Sequence, residues 1–133
     1  MSATSTSRVF RAEPGALDQL EEDHRARFWA HHIPPSTVLV TVEGEVDATN
    51  SRALARYVES QVAGSAHLVL DLRHVDFFGT AGFAALHNVN VVCSHYGLTW
   101  VLQAGRHVRR LLEVCDPECG LPLEDRNART GDR

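Results

Sequence analysis

The chain has 133 residues, a formal net charge of −4 at pH 7, 44% hydrophobic residues and 23% charged residues, which fits one globular domain. The negative charge argues against non-specific nucleic-acid binding, because that requires a basic surface. No apolar run approaches the roughly 18 residues of a membrane span, and the N-terminus lacks the apolar core of a secretory signal. We therefore expect a cytoplasmic protein.

The first third of the chain predicts a leader followed by a β-hairpin. Residues 1–25 are polar and rich in Ser and Thr, then acidic, and we expect them to form a mobile leader. β-Branched and aromatic residues predict strands at Arg27–His31 and Thr37–Val42. A turn at Pro34-Pro35 joins these strands, and Gly44 is expected to end the second one.

A helix and a central strand are predicted next. Asp47 or Thr49 can cap the helix, and Gly64 is expected to end it. The apolar positions of this helix share one stripe, which consists of Leu54, Tyr57, Val58 and Val62. The apolar segment His67–Leu72 is too short for a helix and predicts a central strand.

The second half of the chain predicts two more helices and a strand between them. One helix is expected over Thr80–Tyr96, with Gly97 as its C-terminal stop, and the strand over Leu98–Leu102. A further helical stripe, ended by Pro117, consists of Val108, Leu111, Leu112 and Cys115. Residues Gly120–Leu123 are a candidate for a short edge strand.

The element order β-β-α-β-α-β-α, with an optional last strand, predicts an α/β fold. Strands separated by helices imply parallel pairing with right-handed crossovers, and the opening hairpin adds an antiparallel edge. We therefore expect a mixed sheet of four to five strands. The domain is expected to span residues 26–124, between the mobile leader at 1–25 and a flexible tail at 125–133.

The segment Asp71–Phe83 is the strongest indication of function. A buried strand leads through a short loop with two phenylalanines to Thr80, whose hydroxyl lies where a helix is predicted to begin. The first turn of a helix has free N–H groups and a partial positive charge, so a phosphate group on Thr80 would be stabilised there. A plain helix cap at Thr80 is the alternative interpretation.

The same residues carry a family resemblance. The strand that ends in Asp71-Leu72, the hydrophobic loop and the tetrad Gly79-Thr80-Ala81-Gly82 resemble the STAS domain, and more narrowly the bacterial anti-sigma-factor antagonists. The upstream segment Val42–Asp47 is similar to the family's Gly-Glu-hydrophobic-Asp turn. The resemblance covers most of the chain and implies a mixed sheet with helices packed mainly on one face.

The resemblance also implies a site around Thr80. In the anti-sigma-factor antagonists, the hydroxyl residue of the tetrad is phosphorylated by the partner, an anti-sigma factor of the serine/threonine-kinase type. The partner-binding residues implied here are Asp47, Phe78, Gly79, Thr80, Ala81, Gly82 and Phe83. Two positions depart from the family's pattern, since Gly79 stands where Asp is frequent and Thr80 stands where Ser is usual. For Asp47, a cap of the following helix is an equally open interpretation.

The aromatic pair and the cysteines leave alternatives open. At least one of Phe77 and Phe78 should lie in the core, and the other, if exposed, would be an apolar anchor for a partner. Cys93, Cys115 and Cys119 are either redox-active or small buried hydrophobic residues. Their odd number fits reduced cytoplasmic thiols better than a disulfide framework.

We expect a binding protein rather than an enzyme. The chain has no G-x-S-x-G elbow, no Walker motif and no H-E-x-x-H spacing, so no catalytic residue, metal site or cofactor is predicted. The predicted function is that of an anti-sigma-factor antagonist, which binds an anti-sigma factor and releases a sigma factor, under the control of phosphorylation at Thr80. The alternative is a STAS scaffold, such as a subunit of a lipid-transport ATPase, that binds its partner constitutively. A hydrolase built on Thr80 or Cys115 is a third, more remote hypothesis.

Overall fold

Five strands and three helices make up the described part of the chain. The structure is a computed structural model, and it describes residues 21–23, 25–118 and 120–124. The strands are β1 Glu21–Asp23, β2 Ala26–Ile33, β3 Thr37–Val46, β4 His67–Phe78 and β5 Thr99–Ala104. The helices are α1 Ser51–Val62, α2 Thr80–Tyr96 and α3 Arg106–Cys115. No helix in these segments is both long and apolar enough to cross a membrane.

The strands form one mixed sheet in the order β1-β2-β3-β4-β5. β1 pairs with β2, and β2 with β3, in antiparallel fashion, whereas β3 pairs with β4, and β4 with β5, in parallel. Each parallel connection contains a helix, α1 between β3 and β4 and α2 between β4 and β5, as crossovers between parallel strands require. The predicted α/β fold with a mixed sheet is confirmed.

The helices form a layer on one face of the sheet. α1 packs beside α2, α2 packs beside α3, and all three contact strands. Alternate strand residues are buried beneath this layer, among them Phe28 on β2, Val40 on β3, Leu70 on β4 and Leu102 on β5. The opposite face of the sheet carries mostly half-buried or exposed side chains. The expectation that the helices lie mainly on one face is therefore confirmed.

β4 has 12 residues, because two β-bulges let it continue past Leu72, so the prediction that this strand ends at Leu72 is wrong. At each irregularity β4 advances one residue more than β3, first before His74 and again before Phe77. Strict alternation after Leu72 would bury His74 and Asp76. The extra residues place Val75 in the core instead and leave both polar side chains exposed.

The carboxylate of Asp71 stabilises the first bulge. It accepts hydrogen bonds from the Arg73 backbone N–H at 3.0 Å and from the Nε and Nη2 atoms of the Arg73 guanidinium at 2.9 and 3.0 Å. Burial by itself raises the pKa of Asp71, but the Arg73 hydrogen bonds and the charges of Arg73 and His74 outweigh burial and lower this pKa below its usual value. The buried carboxylate therefore stays charged and provides an acceptor for an amide at the irregular part of the strand.

β3 also extends beyond its predicted end, and Gly44 lies inside the strand rather than ending it. Gly44 has a φ of 100° and pairs with Ala26 of β2. A Cβ atom at this position would lie 2.2 Å from the carbonyl oxygen of Arg25. Only glycine allows this close approach of the two backbones, and β3 then continues to Val46.

The described sheet begins before the predicted domain boundary. β1, at Glu21–Asp23, lies in the segment expected to be a mobile leader and pairs with β2. Residues 1–20 and 125–133 lie outside the described residues, so the division into leader, domain and tail stays a prediction. The candidate edge strand at Gly120–Leu123 is reduced to one parallel bridge between Leu102 and Leu123.

Replacing Asp71 with asparagine should destabilise the fold by about 1–3 kcal/mol at neutral pH, because the change removes a buried, charged hydrogen-bond acceptor. The native pKa of Asp71 is lowered, so the carboxylate makes its full contribution to the free energy of unfolding above the unfolded-state pKa of about 3.9. The difference between wild type and Asp71→Asn should shrink as the pH falls toward the native pKa, where the wild-type carboxylate becomes protonated as well. Urea unfolding of both proteins over this pH range measures the difference.

Glu43→Gln is the matched control, since Glu43 forms an ion pair with Arg27 in the same sheet at 3.1 Å, with both side chains partly exposed. A surface pair of this kind contributes less than about 1 kcal/mol. Equal losses for the two variants, or a loss at Asp71 that does not change with pH, would contradict the role assigned to the buried carboxylate.

Candidate functional site

The candidate site lies where β3 and β4 end side by side. Val46 is paired with Phe78, and the backbone N–H of Gly79 donates a hydrogen bond to the carbonyl oxygen of Val46 at 3.0 Å. The residues that follow the two strands, Asp47 after β3 and Gly79 after β4, are therefore neighbours at the carboxyl edge of the sheet. Thr80 follows directly as the first residue of α2.

Thr80 is exposed and is not a helix cap. The cap position of α2 is Gly79, which has an extended backbone (φ −88°) and supplies no side-chain hydrogen bond to the helix. The side chain of Thr80 is exposed to solvent. The interpretation of Thr80 as a plain cap is therefore wrong, because the helix begins one residue earlier than a cap at Thr80 would require. Its hydroxyl is left accessible.

Two backbone amides at the start of α2 point out of the helix without an acceptor. The amides of Gly82 and Phe83 both approach the carbonyl oxygen of Gly79, at 2.9 and 3.4 Å. The amides of Thr80 and Ala81 find no acceptor among the described residues. Together with the helix dipole, these two amides make the surface around Thr80 favourable for an anion.

The Asp47 loop is closed by hydrogen bonds that the sequence did not indicate. The Oδ1 atom of Asp47 accepts hydrogen bonds from the backbone N–H and the hydroxyl of Thr49. The Asn50 side chain, 1% exposed, accepts from the Asp47 backbone N–H at 3.0 Å and donates to the carbonyl oxygen of Glu45 at 2.9 Å. Asn50, not Asp47 or Thr49, occupies the cap position of α1, which begins at Ser51. The predicted cap at Asp47 or Thr49 is therefore wrong.

The two phenylalanines before Gly79 have opposite environments. Phe78 is 5% exposed and belongs to the core, whereas Phe77 is 51% exposed. The expectation that at least one of the two rings lies in the core is confirmed, and the other ring is exposed. However, Phe78 cannot offer its ring to a partner, and Phe77 is the ring that can. The assignment of Phe78 to the partner-binding surface is corrected accordingly.

Gly82 is also buried, and its role is close packing. A Cβ atom at Gly82 would lie 2.7–2.8 Å from the ring of Phe78, so the ring of Phe78 packs directly on the first turn of α2. Ala81 and Phe83 are half-buried, and Phe83 contacts the ring of His87 edge-on with centroids 4.7 Å apart. Of the predicted tetrad, Thr80 therefore contributes the exposed side chain, and Gly82 fixes the helix that carries it.

The cysteines that the structure describes are free thiols in different environments. Cys93 lies on the buried face of α2, and burial raises its pKa to about 11. Such a thiol stays protonated and unreactive at neutral pH, which favours the interpretation of Cys93 as a small core residue. Cys115 is half-buried at the end of α3. Cys119 lies outside the described residues.

No metal centre is evident in the same segments. His, Cys, Asp and Glu side chains between residues 25 and 124, as far as they are described, form no group of three or more suited to hold an ion.

Comparison with known protein families identifies the chain. A family model described as the STAS domain matches residues 29–125. The chain belongs to the STAS domain family. Among curated proteins, it is similar to Osmosensory protein A of Mycobacterium tuberculosis, with 32% identity over 78 residues. This match covers 59% of the present chain and 48% of the relative, so the STAS domain described here corresponds to about half the length of that protein.

Solved structures of anti-sigma factor antagonists share the fold of this STAS domain. An anti-sigma factor antagonist from Mycobacterium paratuberculosis superposes with a TM-score of 0.63 at 24% identity, over 74% of this chain and 84% of that chain. The anti-sigma factor antagonist SpoIIAA, in its unphosphorylated form, superposes with a TM-score of 0.60 at 11% identity, over 79% of this chain and 96% of that chain. At these identities the similarity concerns the fold.

Replacing Gly82 with alanine should destabilise the domain by about 1–3 kcal/mol, because the new methyl group overlaps the buried ring of Phe78 and neither group can move freely. Gly79→Ala is the matched control. Its Cβ would lie 3.3 Å from the exposed ring of Phe77, which can give way. Chemical denaturation of both variants measures the difference, and an equally stable Gly82→Ala variant would show that Phe78 does not pack on this turn.

Proposed function

We propose that this STAS domain is an anti-sigma-factor antagonist, which binds an anti-sigma factor and releases a sigma factor for transcription. The observation that carries the proposal is the exposed Thr80 at the first position of α2, beside Asp47 at the edge of the sheet. The domain acts by binding and is the substrate, not the enzyme, of a phosphorylation reaction. Its place of action is the cytoplasm, where sigma factors work.

The docking surface in this proposal combines an apolar anchor with a polar switch. Phe77 supplies the anchor, since its ring is half exposed and its neighbour Gly79 has no side chain to cover it. Thr80 lies three residues further along the chain, on the first turn of α2. Aromatic anchors of this kind contribute strongly to protein–protein affinity. The loop of Asp47 borders the same edge of the sheet.

Phosphorylation of Thr80 would switch this surface without refolding the domain. The γ-phosphoryl group passes from ATP, bound to a kinase-type anti-sigma factor, to the Oγ1 atom of Thr80. The bond between the γ-phosphorus and the β–γ bridging oxygen breaks, ADP leaves, and the hydroxyl proton passes to solvent. The dianionic group is stabilised within the domain by the unpaired amides of Thr80 and Ala81. The partner then faces a new charge next to the carboxylate of Asp47, and an unpaired charge in an interface costs several kcal/mol. Binding is lost while the fold is kept.

A second candidate function is a constitutively binding STAS scaffold. Gly79 favours it, because this position has no carboxylate to orient the Thr80 hydroxyl or to contact a kinase. The partner distinguishes the two functions. Recovery of a small ATP-binding kinase fold on immobilised protein supports the antagonist, whereas recovery of a transporter ATPase supports the scaffold.

Variants of Thr80 test the switch. Wild-type protein incubated with the anti-sigma factor and ATP should gain one phosphate, detected by intact-mass spectrometry, and Thr80→Ala should gain none. Thr80→Ala should still bind the partner, since it removes no side-chain cap. Thr80→Glu should bind at least about tenfold more weakly, because it brings a charge into the interface, while it suits the helix dipole and leaves the melting temperature unchanged.

Ser94→Glu is the matched control. Ser94 is exposed on the same helix, and 14 residues of helix separate it from Thr80 by about 21 Å. The same charge at that position should leave binding unchanged. If Ser94→Glu weakened binding as much as Thr80→Glu, the surface at Thr80 would not be the docking site. If wild type bound the partner but gained no phosphate, the scaffold would be favoured over the switch.

A further inference from the structure

The arginines of the sheet are paired with carboxylates, whereas two arginines of α3 are not. All 13 basic residues counted as Lys or Arg are arginines. Two of them in the sheet form ion pairs, Arg27 with Glu43 and Arg73 with Asp71, and Arg25, just before β2, pairs with Glu45. On α3, Arg106 and Arg110 are exposed, and within the described part of the chain no carboxylate pairs with either of them. Their charges are therefore available to a partner.

These two arginines share the outward face of α3 with an exposed apolar residue. Val108 and Leu112 of α3 are buried against the sheet. Arg106, Arg110 and Val114 are spaced four residues apart and lie in line along the opposite side of the helix. The side chain of Val114 is 77% exposed, more than any other large hydrophobic side chain in the described segments. We call the line Arg106, Arg110 and Val114 the outer row of α3.

The composition of the outer row selects the kind of partner. Arginine pairs with carboxylates in a bidentate manner, and Val114 offers an apolar contact that a nucleic-acid backbone does not use. A membrane surface would require a broad apolar face, but the main apolar face of α3 is already buried in the core. A protein segment with two carboxylates and an apolar side chain in line complements all three residues.

We propose that the outer row of α3 is a docking surface for an acidic amphipathic helix of a partner protein. This surface is distinct from the one at Thr80. α3 follows β5, whose last residue Ala104 pairs with Leu72, whereas Thr80 lies beyond the six-residue extension of β4 that ends at Phe78. The proposal does not depend on the proposed function.

A labelled helical peptide tests this proposal with the full chain. The probe carries two Glu residues four positions apart and a Leu four positions further, and a second peptide carries Gln in place of both Glu residues. Fluorescence anisotropy should show binding of the Glu peptide and at least about tenfold weaker binding of the Gln peptide. The double variant Arg106→Glu, Arg110→Glu should weaken binding of the Glu peptide by a similar factor. Val114→Ser should weaken it severalfold.

The double variant Arg52→Glu, Arg56→Glu is the matched control. Arg52 and Arg56 are also exposed and four residues apart on a helix, but the next position in that line is the polar Ser60. This control should change affinity by less than about twofold. All variants alter exposed side chains, and thermal melting verifies their fold. If the α3 double variant melted at a lower temperature than wild type, the affinity of Val114→Ser for the Glu peptide would decide whether the outer row binds the peptide.

Three results would overturn the proposal. The first is the absence of binding between the wild-type chain and the Glu peptide. The second is an equal loss of affinity in the α1 and α3 double variants, which would reveal non-specific charge attraction. The third is tighter binding of a single-stranded oligonucleotide or of phosphatidylglycerol vesicles than of the peptide, with the same dependence on Arg106 and Arg110. That result would assign the outer row to a nucleic acid or a membrane.

Discussion

The parallel pairing of β4 with β3, kept in register across two bulges, is the constraint on which the rest of the structure depends. Without the bulges, β4 would bury polar residues after Leu72 and could not remain in the sheet. With them, core positions recur at Leu72, Val75 and Phe78, and the strand stays paired to its last residue. The hydrogen bond from Gly79 to Val46 then places the beginning of α2 beside the loop of Asp47.

This arrangement separates the residues that hold the site together from those that it displays. Phe78 and Gly82 lock the first turn of α2 onto the end of β4 through direct packing. Phe77, which precedes Phe78, and Thr80, two residues before Gly82, face solvent. A covalent change at Thr80 would therefore occur on a helix end whose position is already determined by the packing of Phe78 on Gly82. In the function proposed above, phosphorylation of Thr80 would change what the surface binds and leave the core intact.

The sequence predicted much of the fold because the apolar patterns are strong and local. The order of strands and helices, the mixed sheet and the helix start at Thr80 follow from such patterns. The β-branched residues Val89 and Val92 lowered the helix propensity of α2, yet the helix continues because one of its faces packs in the core. The family resemblance, based on two motifs in order, also indicated the correct family.

What the sequence could not predict depends on contacts between distant residues. The predicted ends of β3 and β4 lie too early in the chain, because the bulges and the positive φ of Gly44 arise from pairing with other strands. Asn50 gave no local sign that it would bridge Glu45 and Asp47 from a buried position. Which of Phe77 and Phe78 faces the core depends on how the side chains of β4 alternate after its two bulges, and the local sequence does not indicate this. The end of β4, the hydrogen bonds of Asn50 and the orientation of the two phenylalanines shape the candidate site, and all of them are determined by tertiary contacts.

Amide hydrogen exchange of the free domain, resolved by NMR, tests this account most directly. The Gly79 amide is bonded to Val46 at the end of the paired strands, so it should exchange slowly, near the rate of the central strands. The amides of Thr80 and Ala81, the next two along the chain, should exchange faster by orders of magnitude. Exchange at Gly79 as fast as at Ala81 would mean that β4 frays before its end. In that case the start of α2 would not be fixed beside Asp47, and the account of the site would be wrong.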